Sequence, residues 1–216
     1  PAIPRRQRQM CIRDSSYRDI EIGMCPVRAL RVAYTGELGW ELHHPIEMQN
    51  YLLDILLSSG KEFNLKLVGA RAQNWLRQEK SYKAFGSDLG RDAGPFESKL
   101  SRFVDINKNF LGKDALLKRK TDVSCVTLLI DGPKDIDPWG REALYNETEE
   151  VMLGRLTSAG YSVHFKRSIG IGYVRSSFSE VGTKLRIKID DAFWDAEIVQ
   201  DSPYDPQNER IIDRVQ

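Results

Sequence analysis

The residues best equipped for chemistry crowd into the stretch YTGELGWELHHP (34–45), which holds the carboxylates Glu37 and Glu41, Tyr34, Trp40, and two of the chain's three histidines, His43 and His44. If WELHH is a strand, successive side chains alternate, so Glu41 and His43 share one face while Trp40, Leu42 and His44 share the other. A carboxylate at the end of a short strand, beside aromatic groups, can accept two N–H donors from a flat heterocycle. Such charge-assisted two-point bonds give orientation as well as strength. The competing reading leaves Glu37 and Glu41 solvated, the usual state of carboxylates, with Tyr34 capping a core.

Other reactive residues do not assemble into sites. Neighbouring histidines on a strand point to opposite faces, His164 is remote and no HxxxH spacing occurs, so no metal site is expected. Cys11, Cys25 and Cys125 are odd in number and form no CxxC pair, which fits a reducing compartment better than a disulfide framework. Ser158 and Ser162 lack a GxSxG frame and an evident base. GIGY (170–173) has no phosphate-binding helix after it and reads as close strand packing. Asp131, Asp135 and Asp137 sit in a Pro- and Gly-bearing turn, where carboxylates cap backbone N–H groups more often than they bind calcium.

These residues need elements to position them. A chain of 216 residues that is 41% hydrophobic can bury a core, and its net charge of +1 provides no field for nucleic acid or an anionic membrane. The one basic run lies in PAIPRRQRQMCIRDSS, whose four Arg and one Asp show no apolar periodicity, so residues 1–16 read as a non-native or disordered tail. No apolar run approaches the ~20 residues of a membrane helix. VRALRVAYTG (27–36) predicts a strand, TGELG a turn and WELHH a second short strand. Pro45 opens a predicted helix up to Gly60, with Ile46, Tyr51, Leu52, Ile55 and Leu56 facing inward. A second helix is expected over 69–85, with Ala72, Trp75, Leu76 and Tyr82 inward, Glu79 paired with Lys83 and a stop near Gly86. NFLGKDALLKRK ends in a short helix.

Past a boundary near Lys120 the texture changes to five strand-like runs: SCVTLLI, VMLGRLTS, SIGIGYVR, TKLRIKID and FWDAEIVQ. Their turn-separated spacing predicts a small antiparallel sheet or barrel. The fold class is therefore α+β, with a first domain over 17–120, a β-barrel domain over 121–210 and a tail at 211–216.

RVAYTGELGWELHHP and the helix after it, then NWLRQEKSYKAFGSDL and GPFESKLSRFVDINKNFLGKDALL, resemble the folate-binding module shared by the glycine cleavage T-protein, dimethylglycine dehydrogenase and sarcosine dehydrogenase. LGRLTSAGYSVHFKRSIGIGYV, GTKLRIKI and SPYDPQNER are similar to the β-barrel that ends those proteins. The resemblance, over roughly residues 24–210, is nearer to the dimethylglycine and sarcosine enzymes. It implies a truncated folate-binding domain and, in the full-length protein, a flavin-dependent oxidoreductase that acts on CH–NH groups and passes the released one-carbon unit to tetrahydrofolate. FAD is implied only in a missing N-terminal flavin domain, the partner of this part. Folate-binding positions fall on Tyr34, Glu41, Leu42 and His43. The family's catalytic Asp has no counterpart here, so no catalytic residue is assigned and the fragment alone is expected to be inactive and poorly soluble. Three positions depart from the family pattern: Gln73, Arg102 and Glu209. Two alternatives stay open, a glycine cleavage aminomethyltransferase and a non-catalytic relative resembling the regulatory subunit of pyruvate dehydrogenase phosphatase. The resemblance implies the mitochondrial matrix for a eukaryotic source and the cytoplasm otherwise.

Overall fold

The computed structural model describes residues 16–119, 121–133 and 136–211. The chain falls into two compact units, one reaching to Gln73 and including the segment after Pro206, the other formed by Asn74–Pro206.

The first unit is a three-stranded antiparallel sheet in the order β1-β2-β3, backed by a helix. β1 (Tyr17–Ile22), which the sequence reading passes over, pairs with β2 (Cys25–Leu30) through the two-residue turn Gly23–Met24. Gly23 has φ +61°, and a Cβ there would stand 2.5 Å from the Tyr51 hydroxyl, so the turn admits little else. β3 (Glu41–His43) pairs with β2 in the register Arg28 to His43, Ala29 to Leu42 and Leu30 to Glu41. One face carries Ile20, Ile22, Cys25, Val27 and Leu42, which pack against Leu52, Tyr51 and Leu56 of α1 (Gln49–Gly60). Burial of Leu52 alone is worth roughly 1.5–3 kcal/mol.

Two expectations change here. The predicted strand over 27–36 ends at Leu30, because the Arg31 and Val32 N–H groups donate to Ser16 and Leu30 carbonyls instead of continuing the ladder. Tyr34 consequently lies on the connecting loop, where Gly36 takes φ +79° and Gly39 packs on Ala33. The predicted helix begins as a 3₁₀ turn (Ile46–Met48) after Pro45, and Ile46 faces solvent.

The second unit is a closed six-stranded antiparallel barrel in the order β4-β7-β6-β5-β8-β9. Its strands are β4 (Val123–Ile130), β5 (Ala143–Tyr145), β6 (Met152–Ser162), β7 (Arg167–Arg175), β8 (Lys184–Ile189) and β9 (Ala192–Val199). The fold is α+β with a C-terminal barrel, as the sequence predicts. The sixth strand is β5, too short to announce itself, which links β6 to β8 and closes the barrel. Leu128, Ile130, Leu144, Leu156, Ile187 and Ile198 are among the side chains sealed in its core. GIGY packs closely, as expected: a Cβ on Gly172 would lie 2.6 Å from the Arg155 carbonyl oxygen.

The helix predicted over 69–85 is α2 (Ala70–Glu79) and stops well before Gly86. Trp75 does face inward, its indole against Gly160. The last turn, however, buries Arg77, Gln78 and Glu79, and Glu79 does not pair with Lys83: Ser162 donates to its carboxylate, while the Lys83 ammonium donates to the Ser81 carbonyl. A short helix, α3 (Lys113–Lys118), follows where predicted. No helix among the described residues is long and apolar enough to cross a membrane.

Candidate functional site

In the first unit the face of the sheet turned away from α1 is a grid of side chains fixed by register. Tyr17, Leu30 and Glu41 form one row and Asp19, Arg28 and His43 the next, with Glu21 opposite Pro26 in the third. Arg28 grips Asp19 through Nε (2.8 Å) and Nη2 (3.1 Å), and its guanidinium lies over the Tyr17 ring, 5.1 Å from the centroid. The hydrogen bond from Arg28 holds the Asp19 carboxyl below its usual range. His43 Nε2 stands 3.4 Å from Glu41 Oε2, and both side chains are more than half exposed. Beside them opens a hollow of about 470 Å³, lined by Leu30, Arg28, Pro26, His43 and Pro45 together with Asp19, Ile20 and Val27.

Of the four folate-binding positions expected from the sequence, the structure brings Glu41 and His43 together on this open face. Leu42 takes the opposite side of the strand and packs into the cluster around Leu52. Tyr34 is half-buried on the loop between β2 and β3. The departures from the family pattern, Gln73, Arg102 and Glu209, are all exposed, with the Arg102 guanidinium over the Phe103 ring.

The second unit contains a polar cluster that the sequence reading missed. Arg77 and Asp88 are sealed from solvent and pair at 2.5 Å. Asp88 Oδ1 accepts from the Thr157 and Ser158 hydroxyls, each at 2.6 Å, and Oδ2 also accepts from the Ala84 N–H at 2.9 Å. Arg77 donates further to Ser158 Oγ, Asn74 Oδ1 and the Tyr82 carbonyl. Every lone pair that matters is occupied, so the cluster is a structural joint. Ser158 has an acidic neighbour after all, but it lies between Asp88 and Arg77 and cannot act as a nucleophile there. Beside this joint, the buried Lys80 ammonium donates to the Tyr204 and Asp205 carbonyls, fastening the C-terminal loop.

Two further titratable groups of the second unit are held by burial. Burial pushes the Cys125 thiol up to about 11 and the Tyr173 phenol up to about 12. His164 packs edge-on against Phe165 and Tyr204. Asp131 pairs with Arg167 at 2.7 Å, and Asp135 and Cys11 lie outside the described residues. Among the described residues no three His, Cys, Asp or Glu side chains group to hold a metal ion.

The model of the GCVT N-terminal domain matches residues 9–108, and that of the glycine cleavage T-protein C-terminal barrel domain matches residues 124–205. The mitochondrial dimethylglycine dehydrogenase of Mus musculus is 36% identical over 191 residues, covering 85% of this chain and 21% of that protein. The formaldehyde-forming 4-methylaminobutanoate oxidase of Paenarthrobacter nicotinovorans is 30% identical over 199 residues, covering 90% of this chain and 24% of the oxidase. The crystal structure of the glycine cleavage system aminomethyltransferase T from Bartonella henselae superposes with a TM-score of 0.74 at 22% identity, over 83% of this chain and 50% of that one, and so shows the fold. The chain thus spans between a fifth and a quarter of the length of the two curated relatives.

Proposed function

Because the chain belongs to the glycine cleavage T-protein family, matched by both of that family's domain models, we propose that the open face of its first sheet binds tetrahydrofolate as part of an N-demethylating oxidoreductase. The observation that carries this reading is the pairing register, which sets Glu41 and His43 side by side on an exposed face beside a ligand-sized hollow. Among the described residues Glu41 has no Lys or Arg partner, so its carboxylate can accept the adjacent N–H and amino donors of a pterin edge. His43 steadies that carboxylate, Leu42 anchors the strand from behind, and Tyr34 covers the ligand from the loop. Tetrahydrofolate would supply the amines that take up the one-carbon unit. The oxidoreductase assignment follows the relatives, one named as a dehydrogenase and one as formaldehyde-forming, and it implies FAD in a flavin domain elsewhere in the full-length protein. A mitochondrial location follows the name of the mouse relative if the source is eukaryotic.

Calorimetric titration of the full-length protein with tetrahydrofolate tests the site. Charge-assisted hydrogen bonds are worth about 1.5–3 kcal/mol, so Glu41→Gln should weaken binding roughly tenfold or more. No binding by the unmodified protein, or equal binding by the variant, overturns the assignment.

A further inference from the structure

We infer that the apolar edge just past α1, formed by Phe63, Leu67 and Val68, is an interface: in the full-length protein it receives polypeptide from the N-terminal side of the same T-protein-like domain. This role holds whether or not Glu41 binds a ligand. Among the described residues of the first unit four apolar side chains are buried, Cys25, Val27, Ala29 and Leu52, whereas Phe63 is 78% exposed, Leu67 76% and Val68 68%. A unit of this size is marginal on so small a core, and large apolar side chains exposed side by side mark a contact surface.

The segment is braced where it leaves the helix. The Leu65 N–H donates back to the Gly60 carbonyl at 2.9 Å across the 3₁₀ turn Lys61–Phe63, and Asn64 takes the left-handed conformation (φ +55°) that this reversal requires. Leu65 folds over Gly60, where an added Cβ would lie 2.6 Å from the Leu65 Cβ. Beyond it, among the described residues, no acceptor takes the N–H groups of Lys66, Leu67 or Val68. Covering this stretch obliges the occupant to supply hydrogen-bond acceptors as well as apolar surface. A polypeptide carries both, whereas the hydrocarbon of a lipid carries only the second. The fold has polypeptide of the necessary length. This chain covers 50% of the Bartonella aminomethyltransferase and already contains the C-terminal barrel, so the other half of that fold belongs with the N-terminal domain that the first unit joins.

Hydrogen exchange and photo-cross-linking on the full-length protein test this interface. The amides of Lys66, Leu67 and Val68 should exchange at least about a hundredfold more slowly than in an unstructured peptide, because a buried N–H must be bonded. Phe63→p-benzoylphenylalanine keeps an aromatic group at the contact. It should cross-link, within one chain, to residues of the T-protein-like domain that precede these 216 in the full-length sequence. Exchange at the unstructured rate overturns the interface. So do cross-links to a second copy, to the flavin domain or to the residues of this chain, and so does the absence of any cross-link.

Discussion

Two Arg–Asp pairs, Arg28–Asp19 in the first unit and Arg77–Asp88 in the second, are made opposites by their surroundings. Arg77 and Asp88 are 2% and 0% exposed, with their remaining hydrogen-bonding capacity taken by Ser158, Thr157, Asn74 and backbone groups. Arg28 and Asp19 are 58% and 65% exposed and leave part of the guanidinium unengaged. The same two residue types thus make a joint where water is excluded and an exchangeable surface pair where it is not. Desolvation is the deciding variable: a sealed charge depends wholly on its partner, whereas an open one can exchange that partner for water or a ligand.

The comparison breaks first, if it is wrong, at the sealed pair. Asp88→Ala leaves the Arg77 charge buried without its counterion and removes the acceptor of the Ala84 N–H, so the barrel unit should lose about 3–5 kcal/mol. Denaturant unfolding followed by the tryptophan fluorescence of the barrel measures it, and a loss below about 1 kcal/mol would mean that the joint is not structural. Glu41→Gln, on the open face, should do the reverse, lowering tetrahydrofolate affinity while the unfolding midpoint stays where it was.

How far the sequence could foresee this contrast depended on whether the signal was local. The barrel strands announce themselves through period-2 runs such as KLRIKI, and Leu52 through helical spacing. Alternation also separated Glu41 and His43 from Leu42 correctly. β1 stayed hidden because Asp19 and Glu21 occupy its outer positions and its apolar half is only two isoleucines, and β5 because three residues carry no period. Arg77, Gln78 and Glu79 read as surface, since charged residues default to solvent. Their burial depends on Ser158, Ala159 and Ser162, some eighty residues further on, and no local pattern encodes that. The hollow beside Glu41 is likewise a product of three strands meeting and leaves no mark in any one of them.

A smaller effect should appear at alkaline pH, confined to the barrel. Cys125 ionises near 9 when free and near 11 in place, because burial disfavours the thiolate. The unfolded chain therefore releases this proton first, and stability should decline as pH rises from about 9 towards 11. Cys125→Ala should flatten that part of the profile. The same burial should keep the thiol unlabelled by a soluble disulfide reagent until the barrel unfolds. Labelling as fast as that of a free thiol would place Cys125 at the surface and undo its assignment to the buried barrel wall.

The smallest effect is expected at the open pair, and its smallness is the point. Asp19 accepts two hydrogen bonds from Arg28, and hydrogen bonding to Arg28 is the largest cause of its lowered pKa. A lowered carboxyl contributes stability that is present above its unfolded value and fades as pH falls through the folded one. For a pair this exposed, the attraction is offset by hydration of both groups and by the ordering of two side chains. Asp19→Asn should therefore leave the unfolding midpoint unchanged within error at neutral pH, with only a slight flattening of the acid limb relative to the parent. If it destabilises the first unit as Asp88→Ala destabilises the second, then exposure does not separate the two pairs. Arg28 and Asp19 would then be a structural pair despite their exposure.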